Sequence, residues 1–490
     1  RRVYAGWHKP KRFDRNLLVI GAGAGGLVSA YIAAAVKAKV SLIEKHQMGG
    51  DCLNTGCVPS KALLRSAKLA NELKKGPALG FSGVQGTVDF PAVMQRIQRV
   101  IADIEPHDSV ERYTGLGVEV IQGEAKILSP WSVEVNGQTL TSRNLIIAAG
   151  ARPLVPKIPG LEQVQSYTSD SIWSLREQPR WLLVLGGGPI GCELAQAFQR
   201  LGSQVIQVEL AERLLPREDA DASELVLNSL RADGVDVRLQ HRAERFEVVN
   251  GEQRMVARRV DTGEEVTIAF DGLLLALGRV ANVSGYGVEE LGLTVRPNGT
   301  LETDEYLATR FPNIYAVGDV TGPYQFTHVA AHQAWYAAVN ALFSGFKRFK
   351  VDYRVIPACT FTDPEVARVG LSEGEAKAQN IAYEVTRYGI DDLDRAIADD
   401  AAHGFVKVLT VPGKDQILGV TIVGEHAGEL LAEYVLAMKH GLGLNKILGT
   451  IHTYPTMAEA NKYAAGEWKR AHAPQGLLRL VERFHTWRRS

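Results

Sequence analysis

A strand, a glycine-rich turn, a helix and a second strand occur twice in this 490-residue chain, and that repeat limits the fold more than any other feature. Leu17-Leu-Val-Ile20 runs into Gly21-Ala-Gly-Ala-Gly-Gly26, then an Ala-rich helix to about Lys37, then a strand from Lys39 to Glu44. Trp181-Leu-Leu-Val-Leu185 runs into Gly186-Gly-Gly-Pro-Ile-Gly191, then a helix from Cys192 to Leu201 and a strand from Gln204 to Glu209. In each G-x-G-x-x-G, the first glycine (Gly21, Gly186) permits a tight turn. The second (Gly23, Gly188) lets backbone approach a pyrophosphate, and the third (Gly26, Gly191) lets helix and strand pack closely. Phosphates bind at the helix N-terminus, where unpaired N–H groups converge. Each second strand ends in an acid, Glu44 or Glu209, placed to accept from a ribose hydroxyl. Two such units imply two bound dinucleotides. A carboxylate at Glu209 repels a 2′-phosphate and favours NAD over NADP, with Arg213 four residues on as the feature that leaves NADPH open.

Each unit closes in the same way, which points to internal duplication. Leu145-Ile-Ile-Ala-Ala-Gly150 is a strand followed by Arg152 and a Pro-rich linker, and Asp271 to Gly278-Arg279 repeats it. Phe311 to Gly318-Asp319 is another apolar strand. An acid at such a strand end binds a cofactor hydroxyl or caps a helix, and for Asp319 both readings stand. From about Val351 the pattern changes. Strands around 358–361, 383–388, 404–411 and 417–423, with helices near 427–440 and 456–466, read as an α+β domain. The expected fold class is therefore α/β, two Rossmann-like dinucleotide-binding domains plus a C-terminal α+β domain. The expected segments are 1–150, 151–279, 280–350 and 351–490.

Between the first unit and its next helix lies Gly49-Gly-Asp-Cys-Leu-Asn-Thr-Gly-Cys-Val-Pro-Ser-Lys61, with two of the chain's four cysteines. C-x4-C suits one helical turn, which brings the sulfurs to one face. Cys52 is expected near a helix N-terminus, which favours a thiolate. The pair reads as a redox-active disulfide; a structural disulfide and a metal site are the alternatives. Zinc sites usually show C-x2-C or nearby histidine partners, absent here. Cys192 and Cys359 read as structural, in keeping with the burial habit of free cysteine.

The bulk numbers are those of an ordinary globular protein. The formal net charge is zero, so no global electrostatic case exists for nucleic acid. Four cysteines argue against a secreted disulfide framework and for a reducing, cytoplasmic compartment. No apolar run reaches 18 residues, so no membrane span is expected. The chain starts at Arg1 and is expected to be a processed or excised piece. Its first 15 residues carry Arg1, Arg2, Lys9, Lys11, Arg12 and Arg15 against Asp14 alone. Leu477, Leu480, Val481, Phe484 and Trp487 recur at helical spacing among arginines near the other end. A basic amphipathic helix of this kind lies on an anionic inner-membrane surface or packs on its own domain or a partner subunit.

Together, Gly49 to Lys61, the two dinucleotide units, Ala149-Gly150, Gly318-Asp319 and the C-terminal domain resemble the FAD-containing pyridine nucleotide–disulfide oxidoreductases. That family includes dihydrolipoamide dehydrogenases, glutathione reductases and mercuric reductases. The resemblance spans roughly 16–466. It implies FAD on the first unit and NAD(P)H on the second, with NADH favoured. It also implies a homodimer whose C-terminal domain reaches into the partner's active site. By that resemblance Cys52 meets substrate, Cys57 lies against the flavin, and Lys61 sits by the flavin and pairs with Glu193. Lys45, Gly50 and Ala125 join Glu44, Gly150, Gly318 and Asp319 in the FAD set, while Gly278 and Arg279 join Glu209 in the nicotinamide set. No resident metal is implied.

The chain departs from the family at the acid–base site. Members acting on organic disulfides carry His-Pro-Thr with a Glu five residues after the His. Here Ile451-His-Thr-Tyr-Pro-Thr-Met-Ala-Glu459 keeps Glu459 but places Tyr454 at the His position. An imidazole takes a thiol proton near pH 7, whereas a phenol of pKa about 10 does so poorly. His452, two residues earlier, points the same way if the stretch is a strand, and then partly substitutes; a core or interface role is the alternative. Mercuric reductases share the Tyr but add a cysteine pair near the C-terminus, and no cysteine follows Cys359 here. The expected function is electron passage from NAD(P)H through FAD and Cys52–Cys57 to a disulfide, dithiol or related acceptor. Hg(II) reduction and a membrane-associated module reducing a quinone or protein are the rivals. A non-enzymatic FAD-bearing subunit leaves the cysteines, Lys61, Glu193 and Glu459 without purpose.

Overall fold

The computed structural model describes residues 2–490. Arg1 lies outside the described residues, as does the side chain of Arg2, so the basic cluster expected there is described only from Val3 onward. The chain divides into two compact units, Arg1–Leu210 with Gly234–Asp352, and Ala211–Asp233 with Tyr353–Ser490. Residues 211–233, inside the expected 151–279 segment, thus group with the C-terminal unit.

The first unit holds two parallel sheets. In one, the strands run in the order Val118–Gln122, Val40–Glu44, Arg15–Ile20, Gln138–Ile147, Ile314–Ala316, all parallel. The near end of Gln138–Ile147 continues antiparallel into Ser132–Val135 and Lys126–Ser129. Alternation along Leu17-Leu-Val-Ile20 assigns the faces. Leu17 and Val19 pack with Leu27, Ala30 and Ala337, while Leu18 and Ile20 pack with Leu145, Ile314 and Val320. Because both faces are covered, the strand is apolar at every position. The helices over one face are Ala24–Ala35 and Thr327–Phe343, whose alanines allow close approach.

The second sheet repeats the plan, in the order Asp236–Arg238, Gln204–Val208, Trp181–Leu185, Gly272–Leu275, Ser166–Thr168, again all parallel. Helix Pro189–Leu201 follows its glycine turn. A three-stranded antiparallel sheet, His241–Val249, Glu252–Arg259 and Glu265–Phe270, is an insertion that the sequence reading missed.

The second unit is a five-stranded antiparallel sheet in the order Pro357–Thr360, Glu365–Gly370, Ile417–Gly424, Phe405–Thr410, Glu384–Gly389. Strand Glu365–Gly370 was not anticipated. Helices Ala427–Lys439 and Glu459–Ala471 cover it through Leu431, Tyr434, Ala464 and Trp468. The architecture is the expected α/β class with a C-terminal α+β domain. Among the described residues, no helix is long and apolar enough to cross a membrane.

Candidate active site

The two glycine turns show which glycines serve the protein and which leave room for something else. A Cβ on Gly21 would sit 2.3 Å from the Ala148 carbonyl oxygen, and one on Gly26 1.7 Å from that of Gly21. On Gly186 and Gly191 the clashes are 2.1 Å with Ala276 O and 2.3 Å with Gly186 O. The middle glycines differ. A Cβ on Gly23 would meet only Gly50 Cα at 3.8 Å, and one on Gly188 would meet nothing within 4 Å. Both middle glycines are N-caps without a side-chain hydrogen bond, so each helix N-terminus faces that open space with backbone donors. This is the cradle a pyrophosphate needs, and it occurs twice.

Glu44 and Glu209 are held alike. The Ala22 N–H donates to Glu44 Oε2 at 2.7 Å, and the Gly187 N–H donates to Glu209. Each acid thereby braces its own turn at the residue after the first glycine. Glu44 also accepts from the His46 N–H at 2.7 Å, while Lys45 projects into solvent. Gly150 and Gly278 both have positive φ, 67° and 109°, with no atom within 4 Å of an added Cβ. Gly318 has φ 77° and Ala125 is buried. Asp319 lies in a short 3-10 turn and caps no long helix, because Thr327–Phe343 starts after Phe326. Burial pushes the Asp319 carboxyl up to about 6, against the opposing pull of Arg279.

The cysteine stretch is pinned to the first glycine turn. The Gly49 N–H donates to Ala22 O at 2.9 Å, and a Cβ on Gly50 would come 2.6 Å from Gly23 Cα. The expected single turn is in fact two helical pieces, Gly50–Asn54 and Cys57–Lys75. Asn54 Nδ2 ties the first piece together by donating to Met48 O and Gly50 O. Gly56 makes the break, since a Cβ there would stand 2.9 Å from Asp51 O. Cys52 does lie in the first turn of a helix, the short piece Gly50–Asn54, and Cys57 opens the long one, but the lowered thiol is that of Cys57, which corrects the expectation that the N-terminus favours a thiolate at Cys52. Both cysteines are thiols here. The Cys52 hydrogen bond is the main cause lowering Cys57 to about 6, with Thr327 and the Lys61 charge acting in the same direction against burial. The Cys52 thiol is pushed far up, first by that same bond and then by burial. Cys57 Sγ lies 3.4 Å from Thr327 Oγ1, at the start of helix Thr327–Phe343. That contact joins residues 270 apart, and nothing in the sequence announced it.

Lys61 Nζ lies 3.0 Å from Glu193 Oε2. The carboxylate is buried at 8% side-chain exposure on helix Pro189–Leu201, so one repeat's helix supplies the counterion for the other repeat's cysteine helix. Arg279, expected at the nicotinamide nucleotide, is occupied differently. It pairs with Asp51 and donates to Ala151 O at 2.9 Å, with Asp170 and Asp319 at 3.7 and 3.8 Å. Asp51, beside Cys52, was overlooked although it stands within the singled-out stretch.

In the C-terminal unit, 451–458 is no strand, so the alternation argument for His452 fails. His452 turns inward, with Nε2 2.7 Å from Glu433 Oε1 and Nδ1 3.0 Å from Thr450 O. Both ring nitrogens are thus engaged by oxygen atoms of the fold. Tyr454 is 64% exposed and its hydroxyl donates to Asp394 Oδ2 at 3.0 Å, which raises the phenol further. Glu459 is buried, accepts from the Thr456 N–H at 3.2 Å, and opens helix Glu459–Ala471. Cys192 is buried and donates to Gly187 O; Cys359 is half-buried on strand Pro357–Thr360.

Comparison with known proteins places these features in context. Residues 15–334 match the family model described as pyridine nucleotide-disulphide oxidoreductase, and residues 356–465 match its dimerisation domain. A mercuric reductase of Staphylococcus aureus is 34% identical over 92% of this chain and 82% of its own length. A dihydrolipoyl dehydrogenase of Chlamydia trachomatis is also 34% identical, over 91% of this chain and 94% of its own. Among solved structures, the HOCl-induced flavoprotein disulfide reductase RclA from Escherichia coli superposes with a TM-score of 0.81 at 28% identity. It covers 92% of this chain and 99% of RclA.

Proposed function

Since this chain belongs to the pyridine nucleotide–disulphide oxidoreductase family, whose members depend on FAD and NAD(P)H, we propose that it carries electron pairs from NADH to a small disulfide that meets Cys52. The observation that carries the reading is geometric: Cys57 opens a long helix that also carries the Lys61–Glu193 pair, with its Sγ 3.4 Å from Thr327 Oγ1, a setting that lowers its thiol while that of Cys52 is raised. Gly23, with Glu44, Lys45, Gly50, Ala125, Gly150, Gly318 and Asp319 around it, would hold FAD, which when bound would supply two-electron redox chemistry between nicotinamide and sulfur. NADH binds over Gly186, Gly188 and Gly191, with Glu209 at the ribose and Gly278 along the nucleotide. Glu193 holds the Lys61 Nζ at 3.0 Å, and the Lys61 charge helps to lower the Cys57 thiol. Cys52 engages the acceptor and Cys57 closes the intramolecular disulfide. Per turnover, NADH and one proton are consumed, one acceptor disulfide opens and two thiols leave. The protein works as a homodimer through residues 356–465.

A second reading is favoured by one observation. Tyr454 is exposed with a raised phenol, and His452 is held by Glu433 and Thr450, so the position where the family carries its imidazole holds a phenol instead. Reduction of a soft cation such as Hg(II) held between thiolates needs no base. The test is anaerobic titration with NADH, followed by addition of a small disulfide, Hg(II) or, with NAD, dihydrolipoamide. A long-wavelength thiolate–flavin band that forms in wild type and is missing in Cys57→Ser supports the dithiol route. Reoxidation by the disulfide then supports the first reading, and reoxidation by Hg(II) alone the second. Flavin bleaching with no such band in either protein overturns both.

A further inference from the structure

The last helix, Gln475–Arg489, begins ten residues past the matched dimerisation domain, and none of its residues is buried. Its side chains sort by angle. Leu477, Leu480, Val481, Phe484 and Trp487 fall on one stripe, each between 38% and 72% exposed. Arg479, Arg483 and Arg489 lie on the other side with Glu482, Thr486 and Leu478, while Arg488 falls on the stripe near the helix end with its guanidinium over the Phe484 ring. The helix thus carries four arginines against one acid. We propose that it is an interfacial anchor that docks this protein on an anionic lipid surface. This inference does not rest on the proposed electron acceptor.

Charge and length choose lipid over a second copy of this chain. A second copy pairing through the stripe would form a coiled coil of only two heptads, short of the three or four such a seam needs. In that pairing Arg483, at the flank, and Arg488, on the stripe, face the partner chain, so like charges oppose across the seam. A bilayer removes both objections. The stripe sinks into the boundary between headgroups and acyl chains, Trp487 sits at the level where indole rings partition, and the arginines meet lipid phosphates. A lone helix of 15 residues is marginal in water, so docking also stabilises it.

The experiment is cosedimentation of the FAD-loaded full chain with phosphatidylcholine vesicles containing 30% phosphatidylglycerol, or none, with the solution mass measured alongside. Wild type is expected to bind the anionic vesicles, to bind neutral ones far less and to release in high salt. Arg479→Gln with Arg483→Gln should weaken binding roughly fivefold per arginine. Leu480→Ser with Trp487→Ser should abolish it while leaving the oligomeric mass and the NADH-driven flavin spectrum unchanged. Equal binding by wild type and the Leu480→Ser/Trp487→Ser variant, or no binding by either, overturns the proposal. A drop in oligomeric mass in that variant overturns it as well, because the stripe would then cover a second copy.

Discussion

A single hydrogen bond sets the chemistry of the cysteine pair. Cys52 donates toward Cys57, and this does more to hold Cys57 as a thiolate than the Lys61 charge does. In the reduced protein, thiolate absorbance near 240 nm is expected to rise with a midpoint near pH 6 and to persist through pH 8. Cys52→Ala removes the largest lowering cause, so the midpoint should climb toward the ordinary thiol range of about 8.5. An unmoved midpoint would assign the shift to Lys61 and Thr327 instead. The same residue-scale logic applies to Tyr454, whose bond to Asp394 raises the phenol. Tyr454→His places a group titrating near neutrality at the family's base position. Dihydrolipoamide oxidation is expected to rise about tenfold or more, with the gain appearing above pH 6.5 as the imidazole deprotonates.

At the scale of elements, the glycine turns separate stability from binding. Gly26→Ala drives a methyl group into the Gly21 carbonyl at 1.7 Å, with Ala148 Cβ at 3.5 Å beside it. Turn and helix cannot both stay in place, and a loss of about 3 kcal/mol or more is expected, read as a fall in Tm or as insoluble protein. Gly188→Ala meets no atom within 4 Å, and its backbone, φ −77°, suits any residue. That variant should melt with wild type and keep its flavin, while its KM for NADH rises at least tenfold because the methyl group occupies the pyrophosphate's approach. A Gly188→Ala variant with normal KM would remove Gly188 from the nucleotide site. The middle glycines are thus the ones a ligand requires, and the outer ones are required by the chain itself.

At the scale of the whole molecule, sequence neighbours part company. Helix Ala220–Ala232 follows the second dinucleotide unit in sequence yet groups with the C-terminal unit. Lys407, on strand Phe405–Thr410 with a side chain only 2% exposed, holds it there. Its ammonium lies 2.9 Å from Asp219 and Asp221 and 3.1 Å from Glu373. Lys407→Met leaves three carboxylates without their cation, and about 2–4 kcal/mol should be lost in urea unfolding at pH 7, allowing for the water that reaches Asp221 and Glu373. The bond from Lys407 and two backbone N–H groups lower the Asp219 carboxyl despite its burial. A lowered carboxyl stabilises the fold above its unfolded pKa, near 4, and loses that contribution as pH falls through the folded value. The gap between wild type and Lys407→Met should therefore be full at pH 7 and close below pH 4.

What the sequence by itself determined was the local and the repeated. Glycines at fixed offsets after an apolar strand have one economical conformation, and two cysteines four apart inside Gly49–Lys61 come close enough to share a hydrogen bond, because both signals are written within a dozen residues. The acidic ends Glu44 and Glu209, the parallel strands and the α+β end followed from the same short-range rules. Tertiary structure decided whatever joins distant residues. It set Thr327 against Cys57, Glu193 against Lys61, and Asp51 against Arg279. It turned His452 into the fold toward Glu433 while leaving Tyr454 in solvent. It also made Cys57 the lowered thiol, chiefly through the hydrogen bond from Cys52. Charge pairing and burial act through space, and the spacing of residues along a chain carries no record of which distant partner will arrive.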